Sequence, residues 1–183
     1  MARTSRTDYL EAALQVLAES GSDGLTVAEL CSRLGVTKGS FYHHFSGVPD
    51  LVTQLLEFWE SDRSRRLIAA SNAEPQPEAR RELLLRIAIG LPHEAEAALR
   101  SWGRSNPRVR AVVDRVDADR ERHIRESMVR GGLEPRVAAL RSAMAIALLV
   151  GAQQRYHPMD DELLGAMLDQ LSGRETRAGQ ASA

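Results

Sequence analysis

TVAELCSRLGVTKGSFYHHF, residues 26 to 45, holds two short helical patterns on either side of a glycine. Thr26 followed three residues later by Glu29 is the pattern of a capping box at a helix start, and Gly35 supplies the stop. Thr37 caps a second short helix, running from Lys38 to about Phe45. On that helix Phe41 and Phe45 recur at a spacing of four and so share one face. The chain has only eight aromatic residues (three Phe, two Trp, three Tyr), and Phe41, Tyr42 and Phe45 stand together beside two histidines. A core uses the phenylalanine pair; the other side chains are left to face outwards.

Two such helices joined by a turn of about three residues make a helix-turn-helix, whose second helix enters a DNA major groove about 12 Å wide. Phe41 and Phe45 would anchor that helix on Leu25, Val27, Leu30 and Leu34. Thr37, Lys38, Gly39, Ser40, Tyr42, His43 and His44 are then free to face outwards, each a candidate nucleic-acid contact. Lys38 offers a cation to phosphate or to guanine acceptors, Thr37, Ser40 and Tyr42 offer hydroxyls to phosphate oxygens, and Gly39 lets the backbone approach. The histidines suit either contact, the alternative being a solvated pair. Thr26 joins these candidates at the start of the first helix.

Around this unit nearly every segment has helical periodicity and none alternates as a strand does, which predicts an all-α fold. Leu10, Ala13, Leu14 and Leu17 share a face of a first helix over residues 5–20. A long helix is expected over 49–70, with Leu51, Leu55, Phe58 and Trp59 on its apolar side, before the proline-marked break at 70–79. Further helices are expected near 78–90, 92–104, 107–131, 135–156 and 160–172, with Pro77, Pro92 and Pro107 in or near first turns. The organisation predicted is a helix-turn-helix domain over 1–48, a connecting helix and linker over 49–78, an effector-binding and dimerisation domain over 79–173, and a disordered tail over 174–183.

With 183 residues and 43% hydrophobic content, the chain has ample material for a stable core. Its formal net charge of -1 shows no field that would announce a partner, so charge-driven binding has to be local. The one cysteine, Cys31, has no internal partner and reads as a small buried thiol in a reducing compartment, the alternative being a disulfide to a second chain. The N-terminus lacks an apolar signal core, and the longest apolar run, AMAIALLVGA over 143–152, is about half of the ~20 residues that a membrane span needs. A cytoplasmic protein with no membrane partner is the expectation, and that run reads as a helix buried on both sides.

GLTVAELCSRLGVTKGSFYHHFSGVPDLV, residues 24–52, closely resembles the DNA-binding region of TetR family transcriptional regulators. The resemblance covers residues 8–56 and rests on the Gly-Val-Thr turn, the Gly-Ser-aromatic-Tyr run and the His-Phe that closes the second helix. It implies that Tyr42 and Thr37 touch phosphates, that Lys38, Gly39 and His43 lie nearest to bases, and that His44 supports backbone contact. It further implies a palindromic operator bound by a homodimer, a bundle of the last two helices as the dimer contact, and release by a small-molecule effector. Two features depart from the pattern. The lysine that family members commonly place after the recognition helix is missing from Phe45, Ser46, Gly47 and Val48. Residues 1–50 also carry four positive side chains (Arg3, Arg6, Arg33, Lys38) against six acids (Asp8, Glu11, Glu19, Asp23, Glu29, Asp50). Modest non-specific affinity follows, with more of the burden on Lys38, the helix dipole and an arm bearing Arg3 and Arg6.

The second half of the chain yields less. His93-Glu94 is followed by Ala97 where a zinc protease has its second histidine, and neither His123, His157 nor Asp114, Asp117 and Asp119 has a spacing suited to ligation or acid-base work. No metal, cofactor or catalytic role is predicted, and RVDADRERHIRE, residues 115–126, reads as a solvated helix face. Trp59, Trp102, Met128, Met144 and Tyr156 are the pocket-lining guesses, against the plain alternative that they are core. Leu163, Leu164, Met167, Leu168 and Leu171 form a stripe that a second subunit would cover. The competing class is a helical ligand-binding module or enzyme on the same fold that never binds an operator.

Overall fold

The computed structural model describes residues 4–61 and 66–172, which form ten α-helices and one short 3-10 turn, with no strand among the described residues. The tail predicted over 174–183 lies outside them, as does Arg3. Helix α1, Arg6–Ser20, opens with a reciprocal cap: Asp8 N donates to Ser5 Oγ at 3.2 Å and Ser5 N to the Asp8 carboxylate at 2.7 Å. Its apolar face, Leu10, Ala13, Leu14 and Leu17, is buried.

Helix α2, Val27–Leu34, forms only half of the box expected at Thr26. Glu29 N donates to Thr26 Oγ1 at 3.1 Å, whereas Thr26 N donates to the Gly24 carbonyl and the Glu29 carboxylate turns to Arg33. Gly35 adopts φ +64°, the left-handed conformation that glycine takes without strain, and its N–H reaches the last carbonyls of α2. Helix α3, Lys38–His44, follows with Thr37 as its cap.

Of the helix expected over 49–70, two stretches are described, with a π turn after the first. Helix α4, Val48–Phe58, widens into a π turn at 59–61, residues 62–65 lie outside the described ones, and α5 covers Arg66–Asn72. Widened turns of this kind mark places where packing overrides regular helical hydrogen bonding. Then come α6, Pro77–Ile89, α7, His93–Gly103, α8, Pro107–Arg130, α9, Pro135–Arg155, and α10, Asp161–Ser172. Pro77, Pro107 and Pro135 each stand first in a helix, where the missing N–H costs nothing.

Two cores hold the chain. One joins α1 to α4 with α7 and the valines of α8 (Val109, Val112, Val113, Val116), so the N-terminal helices rest directly on the C-terminal ones. The other is built from Leu91, Leu149, Ala152, Leu164 and Leu168, with Leu85 and Ala88 of α6 against it. Helix α9 departs from burial on both sides: Leu149 and Ala152 face inwards, while Met144, Ala143, Ala147 and Gly151 are exposed. By length and composition α9 could cross a membrane; in the fold it packs on α7, α8 and α10. Leu164 and Leu168 of the α10 stripe are likewise buried within their own chain, leaving Leu163 outside.

Candidate nucleic-acid interface and internal cavity

What fixes α3 is an aromatic cluster. Tyr9 of α1 meets Phe41 and Phe45 edge to face, with centroids 5.8 and 5.7 Å apart, and all three rings are essentially inaccessible. Such pairs add to what burial alone provides. Cys31 Sγ is held against the Thr37 carbonyl at 3.5 Å, tying α2 to the turn. Arg33 grips both Glu19 oxygens at 2.8 and 2.6 Å and also Glu29, which sets α2 against α1. These contacts push the Arg33 guanidinium further into its charged form and the Glu19 carboxyl below its usual range. Arg33 is thereby committed to the fold.

Outward from that cluster, Tyr42 is 58% exposed, its ring standing edge-on to Phe41. Lys38, Gly39 and His43 are exposed beside it, and Ser40 is partly so. Thr37 and Thr26 both use a hydroxyl lone pair to cap their helices, which leaves the hydroxyl hydrogen able to donate to a phosphate oxygen. His44 is turned partly inward, where Nε2–H donates to the Thr4 carbonyl at 3.1 Å and fastens the start of the N-terminal arm to α3. In place of the family lysine, Ser46 N donates to Asp50 at 2.8 Å, so an acid occupies the start of α4.

Two adjoining cavities lie in the C-terminal half. The outer, of about 280 Å³, is lined by α6, α8, α9 and α10 side chains including Leu85, Met128 and Leu168, with Glu78, Arg81 and Ser127 as its polar groups. The inner, of about 80 Å³, is walled by Ile68, Ile87, Leu91, Ile146 and Leu149 together with Arg120 and His123. Leu84, Ala88 and Ile124 belong to both.

Beside the inner cavity runs a buried polar network. Glu96 of α7, wholly inaccessible, accepts from Arg120 of α8, from Trp59 Nε1 of the π turn at 3.3 Å and from Gln153 Nε2 of α9 at 2.9 Å. Burial alone would raise the Glu96 pKa; the Arg120 charge and hydrogen bonds, with Gln153, hold it below the ordinary carboxylate range instead. Gln153 also accepts from Arg100, which pairs with Asp117. One carboxylate therefore joins the end of α4 to α7, α8 and α9.

Of the five pocket guesses, Met128 lines one of these two cavities and the other four line neither. Trp59 is in the first core and the network, Trp102 packs against that core, Tyr156 packs against the second, and Met144 is 44% exposed. Arg120 and His123 were missed because the stretch 115–126 reads as a solvated face, and both are buried. A signal was present: the inward spacing of Val109, Val112, Val113 and Val116 continues through Arg120 and His123. Among the described residues no group of three His, Cys, Asp or Glu is placed to hold a metal.

Comparison with known proteins agrees with the geometry. Residues 10–55 match the family model of bacterial regulatory proteins, tetR family. Curated relatives include the nucleoid occlusion factor SlmA of a Marinomonas species, 27% identical over 82% of each chain, and SlmA of Escherichia coli, 24% identical over 87% of this chain and 89% of that one. A transcriptional regulator from Aquifex aeolicus superposes with a TM-score of 0.71 at 20% identity, over 90% of this chain and 95% of that one. A fatty acid degradation regulator from Bacillus halodurans superposes with 0.69 at 18% identity, over 93% and 96%.

Proposed function

We propose, for a chain whose residues 10–55 carry the DNA-binding domain of TetR family regulators on the fold of that family, that it is a dimeric repressor released from a palindromic operator by a small molecule. The observation that carries this reading is the division of α3: Phe41 and Phe45 locked under Tyr9, Tyr42 and Lys38 exposed. Tyr42, Thr37, Thr26 and Ser40 then donate to phosphates and position the helix, Lys38, Gly39 and His43 meet base edges, and His44 holds the arm. Gel shift with DNA from upstream of the protein's own gene tests it.

Dimerisation rests on the exposed apolar residues Val137, Leu140 and Met144 of α9 and Leu163 of α10. Pairing along that face sets two α3 helices in successive major grooves, roughly 34 Å apart. The domain division at about residue 48, with 79–173 as the effector and dimer half, belongs to the same reading. Effector release follows from the network: Arg120 lines the inner cavity and shares Glu96 with Trp59 at the end of α4. A ligand that shifts Arg120 changes the support of α4 and favours a spacing that no longer fits the operator.

The names of the curated relatives favour a second reading, in which the protein is a nucleoid occlusion factor. Mapping bound sites across the genome separates the two. A few promoter sites mark a repressor, and scattered sites away from promoters mark the second role.

A further inference from the structure

The inner cavity has a chemistry that narrows the ligand, an inference that rests on the effector reading above. Its walls are aliphatic except for Arg120 and His123. The Arg120 fork is committed to Glu96, and both are buried. His123 is 4% exposed, and burial, then Arg130 and Arg80 against the opposing Glu126, lower its pKa, so that the ring is neutral at pH 7. Ser71 Oγ donates to the Ile68 carbonyl at 3.0 Å and meets His123 Nε2 at 2.5 Å. We assign the serine hydrogen to the Ile68 carbonyl, which puts the ring proton on Nε2, donating to Ser71, and leaves Nδ1 of the neutral ring as an acceptor.

A charged group brought into this chamber would lose its hydration and meet, among the lining side chains, only Arg120, already matched by Glu96. A hydrocarbon would leave the one acceptor unsatisfied. In the outer cavity Arg81 is paired with Asp169 at 2.6 Å, and exposed Glu78 stands at the rim. The two volumes together sit near the lower end of small-molecule sites, about 300 Å³.

We propose that the inner chamber takes the hydroxyl group of a compact, uncharged apolar molecule, an alcohol or phenol, which donates to His123 Nδ1 while its apolar body passes Ala88 and Ile124 towards Met128. A hydroxyl is the smallest group that supplies this donor without a charge.

The test uses the full-length protein and isothermal titration with 1-octanol and 4-ethylphenol, their methyl ethers, and octanoate. The hydroxyl compounds bind about tenfold more tightly than their ethers, the worth of one hydrogen bond, and more tightly than octanoate. In His123→Phe the preference over the ethers disappears. Octanol or ethylphenol as the better binder tells the aliphatic from the aromatic source. Tighter binding of octanoate, equal binding of the ethers, a preference that survives His123→Phe, or no binding by any probe overturns the proposal. Should His123→Phe fail to fold, Ala88→Leu, which fills the junction of the chambers, has to abolish hydroxyl binding. Operator gel shifts run alongside keep the two levels apart. Operator binding that these probes leave intact refutes this ligand class alone, whereas failure to bind operator at all refutes the reading on which it rests.

Discussion

Glu96 and Arg120 face each other fork to fork in the interior: Arg120 Nη1 donates to Oε2 at 2.9 Å and Nη2 to Oε1 at 2.6 Å, with neither side chain open to solvent. The pair lies between the inner cavity and Trp59 at the end of α4. Removing one partner leaves an uncompensated buried charge. Glu96→Gln is expected to cost about 3–5 kcal/mol in urea unfolding, and Glu96→Leu with Arg120→Met to recover most of it. The double variant should also uncouple effector from operator, which fluorescence of a labelled operator measures.

Protonation acts at the same place. The folded Glu96 pKa is depressed, so its contribution is complete above the ordinary carboxylate range, near pH 4.3, and is lost as pH falls below it towards the folded value. His123 is also depressed, by burial and by Arg130 and Arg80 against the opposing Glu126. Stability from the neutral ring is therefore complete above about pH 6.5 and declines as pH falls from there. The urea midpoint of the native protein should drop more between pH 7.5 and 5.5 than that of His123→Phe.

Tyr9 offers a different check. Its hydroxyl is buried with no hydrogen-bond partner among the described residues, so it carries a desolvation penalty. Tyr9→Phe should stabilise the protein by about 1 kcal/mol in chemical unfolding while leaving the ring contacts with Phe41 and Phe45 in place. A comparable loss of stability would mean that the hydroxyl has a partner.

Two apolar pairs separate the proposed interface from the core. Leu140 is 63% and Met144 is 44% exposed on α9, whereas Leu164 and Leu168 of α10 are buried. Leu140→Glu with Met144→Glu should yield soluble, folded monomers in sedimentation equilibrium. Leu164→Glu should unfold the second core, because a carboxylate placed there has no partner.

The helix-turn-helix was legible because local rules govern it. Thr26 and Thr37 cap, Gly35 takes the left-handed turn, and Phe41 and Phe45 repeat at four, each within a few residues of what it acts on. The cavity and the network were not legible. Trp59, Glu96, Arg120 and Gln153 come from four helices far apart in the chain, and a partnered buried arginine looks in sequence like any solvated one. The π turn at 59–61 was hidden for the same reason: packing against Glu96, and no local glycine or proline, accompanies it. Leu163, Leu164 and Leu168 read alike as apolar, and the paths of α6 and α9 decide which of them is covered.

The most direct measurement of the central claim is the operator affinity of Tyr42→Phe and Lys38→Ala across a salt series, on operator and on scrambled DNA. With Tyr42 on phosphate, its variant should lose about 1 kcal/mol on both DNAs alike. With Lys38 at base edges, its variant should lose roughly 1–3 kcal/mol per half-site on operator and relax discrimination at one symmetric pair of positions. If both variants, folded by circular dichroism, bind operator as tightly as the native protein, α3 is not the element that reads DNA.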